Sequence, residues 1–185
     1  MEKNFFASCM ISEDVRTKLY TGYFFDGEDK AAEIHDGALV VRGEMLDHDV
    51  FDGVKDPNKY KITAPTAATA PVDVVDYVDV SGGNIMGVRY REGIKTFGLV
   101  CPAGFPTRVR ILGKWDTAYW AEGNFASTPT VGEYAIPTAN DTVWTPVSAI
   151  DTAKTCIKIE FVKDVIEGQA NTGKEYFCTV VNVVD

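Results

Sequence analysis

Val131-Gly132-Glu133-Tyr134-Ala135-Ile136-Pro137-Thr138-Ala139-Asn140-Asp141-Thr142-Val143-Trp144-Thr145-Pro146 is the stretch on which the reading of this chain turns. Two short apolar runs, 134–136 and 142–144, flank a polar turn, Thr138-Ala139-Asn140-Asp141. Pro137 closes the first run and Pro146 lies just past the second. Apolar run, turn signal and apolar run predict strand, turn, strand. The stretch offers no catalytic side chain beyond ordinary surface carboxylates. Most of the chain is built the same way, so its residues specify an all-β domain before they specify any chemistry.

Strand signals dominate outward from this point. Cys156-Ile157-Lys158-Ile159-Glu160-Phe161 alternates with Ile157, Ile159 and Phe161 on one side, as one half-buried strand does. Residues 176–184 are rich in valine and aromatics, which favour strands. The turn-rich segment 167–173 between them makes the pair a long C-terminal hairpin. Runs at 38–41, 72–80, 85–90, 96–100 and 108–112 are each bounded by Gly, Pro, Asn or Asp. Many short strands at close spacing predict a small β-barrel or β-sandwich of antiparallel strands. Residues 14–25 read as a strand because Tyr20, Tyr23, Phe24 and Phe25 cluster there, and only 29–34 could form a helical turn. Residues 1–34 are expected as an N-terminal arm or edge strands, and 35–185 as the β-rich domain. The small, proline-bounded segment 63–71 reads as a connector, so a division into two β subdomains near 63–83 stays open.

The 185 residues are enough for one domain with a real core. A net charge of −9 argues against general nucleic-acid binding. No run approaches the roughly 20 apolar residues of a membrane span, and synthesis in the cytoplasm is expected. Cys9, Cys101, Cys156 and Cys178 show no close spacing of a zinc or redox motif. Cys156 and Cys178 read as small buried hydrophobes, and a disulfide between them would need adjacent strands and an oxidising compartment.

Charge is uneven. Residues 81–115 carry Arg89, Arg91, Lys95, Arg108, Arg110 and Lys114 against Glu92 alone, within an otherwise acidic chain. Period-two alternation puts Arg108 and Arg110 on one face of a strand, and Arg89 and Arg91 likewise. If the two strands are neighbours, a basic stripe results. It serves either as an interface or as internal neutralisation of the acidic remainder.

The search for chemistry returns little. Asp47-His48-Asp49 with Asp52 is the most metal-like cluster, but a strand would send Asp47 and Asp49 to one side and His48 to the other, and a solvated loop is the plainer reading. Asp26-Gly27-Glu28-Asp29 lacks the EF-hand pattern. Ser81-Gly82-Gly83-Asn84 has no lysine and no following helix, so it reads as a turn. No serine sits in a G-x-S-x-G elbow. Glu133 and Glu160 as paired carboxylates would need a defined separation and a cleft. No metal and no cofactor is expected, and the chain is read as a non-enzyme. Trp115, Tyr119 and Trp120 form an aromatic cluster that either closes one end of the core or builds a sugar-stacking platform.

An ordered set of short motifs adds a further reading. His35-Asp36-Gly37-Ala38-Leu39-Val40-Val41-Arg42-Gly43-Glu44 comes first, followed by Tyr60-Lys61-Ile62-Thr63-Ala64-Pro65-Thr66 and Tyr90-Arg91-Glu92-Gly93. Ala103-Gly104-Phe105-Pro106-Thr107-Arg108-Val109-Arg110-Ile111-Leu112 and the 131–146 stretch complete it. In this order, over about residues 35–185, the chain resembles the head decoration, or minor capsid, proteins of tailed bacteriophages. Gly113-Lys114-Trp115-Asp116 departs from the pattern, which would have an acidic residue directly after the glycine. The resemblance implies a non-enzymatic β-rich module on the exterior of the virion capsid. Its partners would be the major capsid protein and further copies of itself. Arg89, Arg91, Lys95, Arg108, Arg110 and Lys114 would be the capsid-contact candidates. The alternative is a carbohydrate-binding or head-fibre attachment module using Trp115, Tyr119 and Trp120.

Overall fold

The computed structural model describes residues 7–11, 19–48, 53–76, 100–167 and 170–184. In chain order the strands are β1 (Ala7–Ile11), β2 (Leu19–Phe24), β3 (Ile34–His35), β4 (Leu39–Asp47), β5 (Lys55–Thr63), β6 (Asp73–Val75), β7 (Val100–Cys101), β8 (Thr107–Ile111), β9 (Thr117–Ala121), β10 (Tyr134–Ile136), β11 (Thr145–Val147), β12 (Cys156–Glu167) and β13 (Ala170–Asn182). A 3-10 turn, Glu122–Asn124, is the one helical element among the described residues. The fold is all-β, as the apolar periodicity predicts. Asp29 to Ile34 is no helical turn: the backbone turns at 27–29 and a bridge pairs Phe25 with Ala31.

The described residues form two large assemblies and a two-stranded β3–β7 pair. Strands β2-β5-β4-β6-β8 close into a barrel, and β1-β9-β13-β12-β10-β11 form a six-stranded sheet. The sheet is antiparallel throughout, whereas in the barrel β2 runs parallel to β5. The expectation of purely antiparallel strands is corrected there. Parallel neighbours need a long crossover, and β3 and β4 supply it between β2 and β5. The N-terminal segment thus contributes an edge strand, β1, and a barrel stave, β2. Residues 63–71 are irregular backbone apart from their first, as a connector should be.

Burial explains why some runs are apolar without alternation. Leu39 and Val74 join the core between barrel and sheet, with Trp120, Trp144, Ile157, Ile159 and Tyr176. Their chain neighbours Val40 and Val75 face the other way, into the barrel with Ile62 and Val109. Successive residues of a strand point to opposite faces, so β4 and β6 must be apolar on both.

The C-terminal hairpin is as expected: β12 and β13 pair from Cys156↔Asn182 to Glu167↔Ala170. Cys101, Cys156 and Cys178 are buried and unbonded. Burial pushes the Cys101 thiol up to about 11, so it is no thiolate nucleophile at neutral pH.

The 131–146 hairpin needs a correction. Its first strand is β10, but Tyr134, Ala135 and Ile136 pair with Val147, Pro146 and Thr145 rather than with 142–144. Residues 142–144 are drawn inward instead. The Leu39 N–H donates to Thr142 O at 2.7 Å, Trp144 N–H to Asn124 O at 2.8 Å, and Ala126 N–H to Trp144 O at 2.9 Å. Trp144 is wholly buried and Thr142 and Val143 are half-buried, so the run expected as the second strand instead inserts its tryptophan into the core. Pro146 is tolerated because β11 is the last strand of its sheet, where a missing N–H breaks no ladder.

Candidate functional site

Arg89, Arg91 and Lys95 lie outside the described residues, as do Asp49, Asp52 and the 81–84 turn. Arg108 and Arg110 lie on β8 and share a face, as their spacing requires. Both reach one carboxylate: Arg108 Nη2 is 2.8 Å and Arg110 Nε 2.6 Å from Asp76 Oδ2. Asp76 thus offsets one of the two positive charges. Interface and neutralisation are not exclusive here, because the Arg108 side chain stays 40% exposed.

The aromatic cluster is split. Trp120 points into the core and is wholly buried, edge-on to Trp144 at 5.7 Å. Tyr119, one residue earlier, points to the opposite face of the sheet. There it meets Phe177 at 5.0 Å and Phe161 at 5.9 Å, and the two phenylalanines stack at 4.9 Å. Register makes this row, since Tyr119 opposes Phe177 and Phe177 opposes Phe161 on three adjacent strands. Phe161 remains exposed. Sequence alternation assigned Phe161 to the inward side with Ile157 and Ile159. An irregularity between Ile159 and Phe161 reverses it, as a bulge does. Lys163 Nζ lies 4.0 Å from the centre of the Tyr119 ring and 2.7 Å from the buried Glu175 carboxylate. Trp115, Tyr119 and Trp120 therefore cannot form one exposed sugar platform.

Trp115 stands apart. It is 52% exposed, at φ 75°. Among the described residues three non-glycines adopt this left-handed region: Asp29, Asn140 and Trp115. Asp and Asn tolerate it through short polar side chains, whereas a bulky residue there is a true outlier costing about 1–2 kcal/mol. The turn is clamped around it. Trp115 N–H donates to Val180 O, Val180 N–H donates to Asp116 O, both at 2.8 Å, and the Asp116 carboxylate accepts from Gly113 N–H at 2.7 Å. Lys114 Nζ lies 5.2 Å from the indole centroid.

One mouth of the barrel holds a cluster that sequence reading missed. Tyr20, Gly22 and Phe24 alternate along β2, a period-two signal that could have located it. The Arg42 guanidinium lies 5.3 Å from the centroids of both Tyr20 and Tyr60, which are themselves edge-on at 5.3 Å. The Tyr20 hydroxyl donates to Asp73 Oδ2 at 2.7 Å. A cavity of about 450 Å³ opens here, lined by Tyr20, Arg42, Tyr60, Arg108 and Ile111 among others. A second, of about 700 Å³, lies where the 140–142 turn meets the other side of β5 and Phe24. Among the described residues no group of three or more His, Cys, Asp or Glu converges as a metal site.

Burial raises Asp73 above the usual carboxylate value, against the lowering by the Tyr20 hydrogen bond and by Arg42. A carboxyl raised in the folded state favours folding below its unfolded value near 3.8, and this contribution is lost as pH rises through the folded value. Asp73→Asn should therefore flatten the pH dependence of stability from about pH 4 upward, with little loss at pH 7. Urea titrations at pH 3.5 and 7 test this. A large loss at pH 7 would mean that the charged carboxylate is itself stabilising.

The chain matches no protein-family model and no curated protein.

Proposed function

We propose that this chain is a non-enzymatic virion structural protein that decorates or stabilises the outer surface of a tailed-bacteriophage capsid. The observation that carries the reading is the row Tyr119–Phe177–Phe161, a cross-strand aromatic surface on the sheet face away from the core. Aromatic surface of this kind supplies most of the affinity in protein interfaces, while charges around it tune encounter and salt response. The ordered motifs support the reading from the sequence side. Four of the five fall on β3–β4, the end of β5, β8 and the β10–β11 hairpin; the fifth, at 90–93, lies outside the described residues. A carbohydrate-binding role loses support because Trp120 has no accessible surface.

Purified protein is expected to co-sediment with undecorated capsids at low salt; protein left wholly in the supernatant would sink the proposal. Phe161→Ala combined with Phe177→Ala should weaken binding about tenfold or more, as loss of a hydrophobic anchor does. Arg108→Glu should weaken it less and reduce its salt sensitivity, as a rim charge does.

A further inference from the structure

We infer that Trp115 is a preorganised anchor that inserts into an apolar pocket with an acidic rim on the capsid protein, an inference that rests on the decoration role proposed above. Four observations converge on this one residue. It is the exposed indole of the protein: Trp120 and Trp144, the other two tryptophans, have no accessible surface. Its left-handed backbone is one that a glycine or asparagine would fill without strain. The strain is held by neighbours, since Trp115 N–H and Asp116 O both bond Val180 on β13, and Asp116 ties back to Gly113. Finally, the turn points its acid inward and its base outward: Asp116 is 4% exposed, whereas Lys114 stands beside the indole.

Strained side chains persist where the surrounding structure enforces them, and they concentrate at ligand clamps and switch regions. With its backbone held in this way, the turn loses little freedom on binding, so less of the affinity from the indole's apolar area is lost to ordering the chain. The tip thus offers an aromatic ring on a clamped backbone with a cation at its face, on a protein of net charge −9. Its complement is an apolar pocket for the indole with carboxylates placed for Lys114.

The test separates anchoring from structural support. Trp115→Gly and Trp115→Asn both suit the left-handed backbone, so each should leave Tm unchanged or raise it by up to about 4 °C. Each should weaken co-sedimentation with undecorated capsids at least about 30-fold. In the free protein N-bromosuccinimide should oxidise Trp115 and spare Trp120 and Trp144, read by peptide mass spectrometry, and capsid binding should protect it. A fall in Tm with unchanged binding would make Trp115 a structural residue and overturn the inference. Wild-type and variants binding alike would overturn it too, yet leave the decoration role standing. Wild-type protein that never sediments would overturn both.

Discussion

Trp144→Ala is expected to cost about 3–5 kcal/mol of unfolding free energy, the range for emptying a large aromatic site. Trp144 is wholly buried between barrel and sheet, edge-on to Trp120 and in one cluster with Leu39, Phe125, Ile157 and Tyr176. Alanine would open a void that the surrounding strands cannot fill, because hydrogen bonds hold the backbone here to Asn124 and Ala126. The indole N–H groups of Trp144 and Trp120 are buried with no acceptor. Packing alone therefore stabilises the pair, and an unpartnered donor costs free energy. Trp144→Phe should accordingly lose only roughly 1–2 kcal/mol, since it keeps an aromatic ring and removes that donor. Urea denaturation followed by circular dichroism measures both. A loss below about 1 kcal/mol for Trp144→Ala would mean that barrel and sheet do not share this core.

Gly22→Val should cost about 3 kcal/mol, at the upper end of core overpacking. Gly22 lies on β2 inside the barrel. A Cβ built there would sit 2.7 Å from Ile62 Cδ1, 2.9 Å from Val109 Cγ2 and 3.0 Å from Ile62 Cγ2. Backbone conformation is not the reason for the glycine, because its φ is not left-handed. The cause is the lack of room in a small closed barrel, whose interior side chains already fill it. Ile62→Val removes the closest methyl. In the Gly22→Val background it should therefore recover part of the loss, while in the wild type it should cost about 0.5–1.5 kcal/mol. A double-mutant cycle measures this coupling. Additive effects would show that residue 22 does not contact Ile62.

Much of the candidate surface was legible in part. Arg108 and Arg110 could be assigned to one face because strand alternation is local. Their counter-ion Asp76 could not be named, since it comes from a segment more than 30 residues earlier in the chain. Trp115, Tyr119 and Trp120 read as one cluster because they are close in sequence. The fold sends Trp120 inward, Tyr119 outward and Trp115 to a strained turn, and only register and the clamp by Val180 make that division. Phe161 went to the wrong face because a one-residue irregularity in β12 has no clear mark in the sequence, and it inverts the side chains that directly follow it.

Local chemistry by itself determined that this is an all-β chain, with the β12–β13 hairpin, the β10 strand and the 63–71 connector. Each depends on periodicity, β-propensity or turn residues within a few positions. Only the tertiary structure decided the rest: the parallel seam between β2 and β5, the closure of the barrel and the burial of β4 and β6 on both faces. It also drew Trp144 out of the hairpin and moved β11 to 145–147. Those outcomes depend on which distant segments share a core, and burying an indole between two β layers outweighs the weak preference of a three-residue run for its nearest neighbour.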